Sequence, residues 1–191
     1  MDTIHSTDDY LQKDVQRNIK IRQLVHSKKS MKTYRAPWGK PLIISSGIVA
    51  ALVGACVIAA TTMRPFITPG ILAPFVQWLP LVIVLGCLPF MIRGYTITED
   101  AILIRRLFWS TRLTRTGLTS AQALPKAMKG SLRTCGNGGA FSFTGWYWSK
   151  SLGAYRAYVT DLDRTVVLHF GKRTVVISPD EPEEFVTQLN L

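Results

Sequence analysis

From Arg133 to Gly153 the sequence reads RTCGNGGAFSFTGWYWSKSLG, a cysteine and a glycine cluster running straight into an aromatic segment. Each part suggests a chemistry. Gly136-Asn137-Gly138-Gly139 supplies a backbone free to take positive φ and to approach a phosphate closely. No Lys-Ser or Lys-Thr follows it, however, and strand-like residues stand where a nucleotide cradle needs a helix. Cys135 as a nucleophile needs a base, which only His169 offers in this half of the chain, and an orienting acid such as Asp161 or Asp163. That pair defines the enzymatic alternative, against which stands the plainer account of a half-buried or edge histidine on a strand. One Cys and one His without close companions do not make a metal site. The acids of Pro179-Asp180-Glu181-Pro182-Glu183-Glu184 are explained by the start of a helix. No catalytic set, cofactor or metal is expected.

The aromatic run leaves more open. Strict alternation puts Phe141, Phe143, Gly145 and Tyr147 on one face of a strand, and Ser142, Thr144, Trp146 and Trp148 on the other. One face can be core. The other presents two tryptophans beside Lys150, which suits a lipid headgroup layer or a protein partner. Filling a small barrel with all the rings is the third reading. Arg133, Trp146, Trp148, Lys150, Arg105 and Arg106 are the candidate residues for contact with a partner or a headgroup.

These residues must be positioned by something, and hydropathy shows what precedes them. Residues 42–63 and 71–92 are two runs of 22 residues without a charge, separated by seven. At 1.5 Å per residue each spans roughly 33 Å as a helix, enough to cross a bilayer. They predict a transmembrane hairpin over residues 42–92. Lys28, Lys29, Lys32, Arg35 and Lys40 precede it and Arg93, Arg105 and Arg106 follow, whereas the connecting loop holds only Arg64. The positive-inside rule then puts both termini in the cytoplasm, making this a multi-pass inner-membrane protein. The net charge of +11 fits attraction to an anionic leaflet better than a nucleic-acid partner. Cys56 and Cys87 fall inside the spans and Cys135 faces a reducing compartment, so no disulfide framework is expected. A start at Met31, with MKTYRAPWGK as a signal n-region and Val53-Gly54-Ala55-Cys56 as a lipoprotein-like cleavage site, is the competing account of the first span.

Gly47, Ala51, Ala55 and Ala59 recur every four residues, and the expected use of this stripe is packing against the second span, with self-association as the alternative. Pro74, Pro80 and Pro89 interrupt the second span. Neither span contains Asp, Glu, Lys, Arg or His, so no ion path or proton relay is proposed. Residues 1–41 form a basic segment, with one apolar stripe over Thr7 to Val25 that reads as an amphipathic helix or a partly ordered tail.

From residue 93 the period changes to two. YTITEDAILIRR, RLTRTGL, AFSFTGWYW, AYRAYVTD, TVVLHF and RTVVIS read as about seven strands, with turns at Glu99-Asp100, LDRT and GK, before a helix carrying Phe185, Val186 and Leu189. In YTITEDAILIRR, RTCGNGGAFSFTGWYWSKSLGAYRAYVTD and TVVLHFGKRTVVISPDEPEEFVTQL the chain resembles the bacterial pleckstrin-homology-like (PH-like) domain family, in particular the group with two transmembrane helices before the domain. The resemblance implies a bent, partly open barrel of seven strands closed by a C-terminal helix, and no catalytic residues. In eukaryotic proteins of similar fold, basic residues near the first hairpin hold inositol phosphates. Arg105, Arg106, Arg112 and Arg115 lie in a comparable region without matching that motif. The expectation is a membrane helical hairpin followed by a mainly-β PH-like domain at residues 93–191, displayed as a binding or assembly module. Its occupant would be a protein partner, a second copy or anionic lipid.

Overall fold

The computed structural model describes residues 17, 31–62, 73–171 and 173–189. The amphipathic segment expected over residues 7–25 lies outside them, apart from residue 17, and so does the loop at 64–70.

Among the described residues a strand, β1 (Lys32–Arg35), is followed by two helices, α1 (Lys40–Thr62) and α2 (Ala73–Cys87), and one 3-10 turn at Leu88–Phe90. Strands β2 (Ile92–Ile97), β3 (Ala101–Arg106) and β4 (Ser110–Thr114) follow, joining β1 in an antiparallel sheet of order β1-β2-β3-β4. Strands β5 (Ser120–Ala123), β6 (Leu132–Gly138), β7 (Phe143–Ser149), β8 (Gly153–Val159), β9 (Val166–Phe170) and β10 (Arg173–Ile177) make a second sheet, β5-β9-β10-β8-β7-β6, and helix α3 (Pro182–Gln188) closes the chain.

The first core lies between the sheets. Tyr95, Ile102 and Ile104 point from the first sheet to Tyr158, Leu168 and Ile177 of the second, and α3 seals the end with Phe185 and Leu189. Burial of these side chains supplies the main drive to close the two sheets. On its other face the second sheet buries Tyr147, Tyr155, Val167 and Val176 beneath Ala127 and Met128 of the turn segment after β5. A sheet covered on both faces explains why β9 and β10 read as nearly continuous apolar runs rather than alternating ones. Polar groups bridge the sheets as well. Tyr95 Oη donates to the Tyr158 carbonyl at 2.6 Å, and Ser178 Oγ accepts from the Thr160 and Asp161 backbone amides at 2.8 and 3.2 Å.

Several expectations are corrected. Strand β1 comes from the segment assigned outside the domain: Lys32–Arg35 pairs antiparallel with β2, placing Arg35 opposite Gly94. The β domain therefore holds ten strands among the described residues, not about seven. LDRT is not a hairpin turn, because β10 inserts between β8 and β9 and runs parallel to β8. The glycine-rich stretch before the aromatic run, absent from the strands expected, forms strand β6 from Leu132 to Gly138 and pairs along its length with β7.

The helices also differ in length from the spans. Lys40–Ala59 is the helix among the described residues long and apolar enough to cross a membrane, with mean hydropathy 2.5. The second is shorter: α2 runs through Pro80 but ends at Cys87, Pro89 sits in the 3-10 turn, and Ile92 is drawn into β2, where it is 1 % exposed. Helices α1 and α2 pack together along a cleft lined by Ala50, Val53, Gly54 and Val57 facing Leu81 and Val84. The stripe of Gly47, Ala51, Ala55 and Ala59 stays exposed instead, since the face of α1 turned to α2 is the neighbouring one with Val53 and Val57.

Candidate functional site

The helices join the β domain through buried contacts rather than a linker. Gly39 N donates to the Thr160 carbonyl at 3.0 Å, and a side chain at Gly39 would meet Asp161. One turn later Leu42 and Ser46 are buried, and Ser45 Oγ and Ser46 Oγ both donate to the Gly139 carbonyl, at 2.8 and 3.1 Å. Ser46 Oγ also accepts from Phe141 N at 3.0 Å. The tip of the β6–β7 hairpin thus rests on the first turns of α1. At the other end of the pair, the Phe90 carbonyl accepts from Arg106 Nη1 at 3.1 Å. Trp38 with Phe141, and Phe90 with Trp109, set aromatic pairs on the same junction.

Beside that junction opens a cavity of about 610 Å³. One wall is Gly86, Cys87 and Phe90 at the end of α2, and another is Arg106 of β3. Strands β6, β7 and β8 supply the rest, including Arg133, Cys135, Trp146 and Arg156. Its floor is a glycine pair. Gly136 and Gly145 face each other in the β6–β7 register with φ of +113° and +143°. A Cβ on Gly136 would strike the Thr144 carbonyl, and one on Gly145 would strike that of Cys135. Only glycine lets the two backbones come this close.

Three guanidinium groups line this space and, among the described residues, no carboxylate does. Arg106 is 8 % exposed and is held by Phe90, by Thr111 Oγ1 at 3.2 Å from its Nε, and by the rings of Phe90, Trp109 and Tyr158 at 5.5–5.8 Å. Burial pushes its proton affinity below that of a free arginine, with Tyr158 opposing the shift and Arg156 adding to it. Arg156 stacks on Trp146 and Tyr158, each at 5.4 Å, so the Tyr158 ring meets two cations. Arg133 passes over Gly138. Among the described residues neither Arg133 nor Arg156 donates a side-chain hydrogen bond or meets a carboxylate at ion-pair distance.

Of the six candidate residues, Arg106, Arg133 and Trp146 come together here. Trp148 and Lys150 are exposed farther along β7 and its turn, and Arg105 points away from Arg106 on β3. Sequence reasoning missed Arg156, whose signal was available: an arginine inside the alternating run AYRAYVTD, opposite Trp146 in the β7–β8 register. It also missed the contribution from the end of α2. The alternation read for the aromatic run holds for Trp146 and Trp148, which are 45 and 43 % exposed, and for Tyr147, which is buried. It fails at Ser142, buried because Phe141 takes a positive φ of 66° that turns the strand start.

Cys135 and His169 are not brought together as neighbours in the sheet. They lie on β6 and β9 with three strands between them, and His169 Nδ1 stands 3.2 Å from Thr174 Oγ1. Among the described residues no group of three or more His, Cys, Asp or Glu side chains converges as metal ligands would.

A family model described as bacterial PH domain matches residues 93–191. No curated protein and no solved structure matches the chain.

Proposed function

The chain belongs to the bacterial PH domain family, and from that premise we propose that it is a two-span inner-membrane protein holding its PH-like domain against the cytoplasmic face as a binding or assembly module without catalytic activity. The observation carrying this reading is topological. The apolar helices are an excursion between two neighbouring antiparallel strands: the chain leaves after Arg35 and returns at Gly94, its register partner, with Ala36 N donating to the Arg93 carbonyl at 3.4 Å. Both ends of the excursion belong to one sheet, so any crossing of a bilayer must be matched by a crossing back.

The helix surfaces support the same reading. Ile44, Leu52 and Ile58 on α1, and Phe75, Leu79, Val82 and Ile83 on α2, are each more than half exposed. A soluble protein does not leave so much contiguous apolar helix bare. Lipid covers it at no cost. The 15 residues of α2 with the three of its 3-10 turn reach about 28 Å, close to the hydrocarbon thickness. Orientation rests on the basic residues that flank the helices on the domain side.

The test is alkaline carbonate extraction of native membranes, combined with labelling of intact cells by a membrane-impermeant thiol reagent. The protein is expected in the pellet, a cysteine placed within residues 64–70 is expected to label, and Cys135 is expected to stay unlabelled until the membrane is opened. Release by carbonate would remove the membrane reading, and labelling of Cys135 from outside would invert the orientation.

A further inference from the structure

We propose that the cavity at the helix–domain junction is a site for a phosphate-bearing anion, held by Arg106, Arg133 and Arg156. Three observations lead there. First, among the described residues three cations line the cavity without an acid, and two of them, Arg106 and Arg156, lie 5.5 and 5.4 Å from the Tyr158 ring centroid. Like charges gathered around one cavity repel, and an anion bound in that cavity offsets the repulsion. Second, donors are left over. A guanidinium carries five N–H groups, Arg106 directs only Nε and Nη1 to protein oxygens, and Arg133 and Arg156 direct none among the described residues. A planar fork with unused donors is the group that grips phosphate oxygens in pairs. Third, the cavity is amphipathic: guanidinium groups share it with the apolar end of α2 at Cys87 and Phe90 and with the Trp146 ring. That mixture fits an anion carried on an apolar body better than bare inorganic phosphate.

Location sharpens the choice of ligand. If α1 and α2 cross the bilayer as proposed above, the cavity opens where their ends emerge, at the level of the headgroups. The phosphodiester of an anionic phospholipid is then the nearest source, and a soluble phosphate monoester is the other. The membrane reading is needed only for the first source.

The experiment uses the full-length protein with Cys56→Ser and Cys87→Ser as the background of every variant, and reads the rate at which a neutral alkylating reagent modifies Cys135, which is exposed on the cavity wall. Three conditions are compared: nanodiscs of phosphatidylcholine, the same discs containing phosphatidylglycerol, and phosphatidylcholine discs with millimolar glycerol 3-phosphate. Occupancy is expected to slow Cys135 at least about tenfold, the scale of one charge-assisted hydrogen bond. A Cys135→Ser, Ser110→Cys variant, whose thiol lies on the β3–β4 hairpin away from the cavity, reports surface potential alone and is expected to show no such slowing. Arg133→Gln with Arg156→Gln, both exposed side chains, is expected to abolish protection while the β domain stays folded by circular dichroism. Protection by phosphatidylglycerol alone identifies lipid as the source, and equal protection by glycerol 3-phosphate identifies a soluble ester. Equal Cys135 rates in all three conditions, or protection that survives the double substitution, overturns the site. If carbonate releases the protein from membranes, the glycerol 3-phosphate comparison in buffer still decides the cavity on its own.

Discussion

Ser46, two turns into the first apolar helix, donates from its Oγ to the Gly139 carbonyl at 3.1 Å and is buried there, 93 residues away in sequence. The same Oγ takes the Phe141 amide, so one hydroxyl ties the helix to the tip of the β6–β7 hairpin. Replacing it with alanine leaves the partly buried Phe141 amide without a partner and takes one of two donors from the Gly139 carbonyl. Ser45 still reaches Gly139, so Ser46→Ala is expected to lower the stability of the domain by about 1–2 kcal/mol and not to unfold it. The sharper measurement is hydrogen exchange in detergent or nanodiscs: the Phe141 amide should lose protection while the amides of β9 and β10 keep theirs. Unchanged exchange at Phe141 would show that the junction is not closed as described.

Tyr95 gives the domain an alkaline limit. Its phenol is fully buried, and burial pushes it up to about 12, ahead of the opposing effects of its Ser178 and Thr160 partners. The unfolded phenol titrates near 10, so between pH 10 and 12 the unfolded chain gives up a proton that the folded domain keeps. Stability from this group is therefore complete below pH 10 and falls as pH rises toward 12, by on the order of 2–3 kcal/mol. Denaturation midpoints taken across that range should decline more steeply for the wild type than for Tyr95→Phe. The variant pays at neutral pH instead, where the Tyr158 carbonyl and the Ser178 amide lose their partner.

The facing glycines of the cavity floor separate two kinds of cost. Gly117 has a φ of +84° and open space around it, whereas Gly145 has both a positive φ and the Cys135 carbonyl against its missing Cβ. Gly117→Ala is expected to cost about 1 kcal/mol, the strain of the left-handed backbone alone. Gly145→Ala adds a backbone collision and should cost about 3 kcal/mol or more, prying β6 from β7. Thermal unfolding of the two variants side by side measures the difference, and similar midpoints would contradict the close approach.

What the sequence disclosed follows from how local each signal is. The charge-free runs, the hairpin at Glu99-Asp100 and the proline-started helix at residue 182 are written in neighbouring residues and could be read directly. Strand β6 could not, since LRTCGNG has three glycine or asparagine positions that no strand propensity favours, and its pairing with β7 imposes the conformation. Strand β1 was hidden for another reason: four residues ahead of a long apolar excursion give no hint that they return to pair with β2. The site shows the same division. Arg133 and Trp146 stood out in one stretch, but Arg106, Arg156 and the end of α2 converge on them only through sheet register and the turn at Phe90.

The position of β1 within the domain can itself be tested through Tyr34. Its ring is 2 % exposed and meets Phe185 edge-on at a centroid distance of 5.0 Å, while its hydroxyl is buried with no hydrogen-bond partner among the described residues. Ring and hydroxyl therefore contribute with opposite sign. Tyr34→Ala removes core contacts that join β1 to α3 and should cost about 3–5 kcal/mol. Tyr34→Phe keeps the ring, frees the chain from burying an unsatisfied hydroxyl, and should leave stability unchanged or raise it by up to about 1 kcal/mol. Denaturant unfolding of the full-length protein in detergent, followed by tryptophan fluorescence, reads both. A β1 that merely lay on the surface would make both variants neutral, and a marked loss in Tyr34→Phe would mean that the hydroxyl has a partner after all.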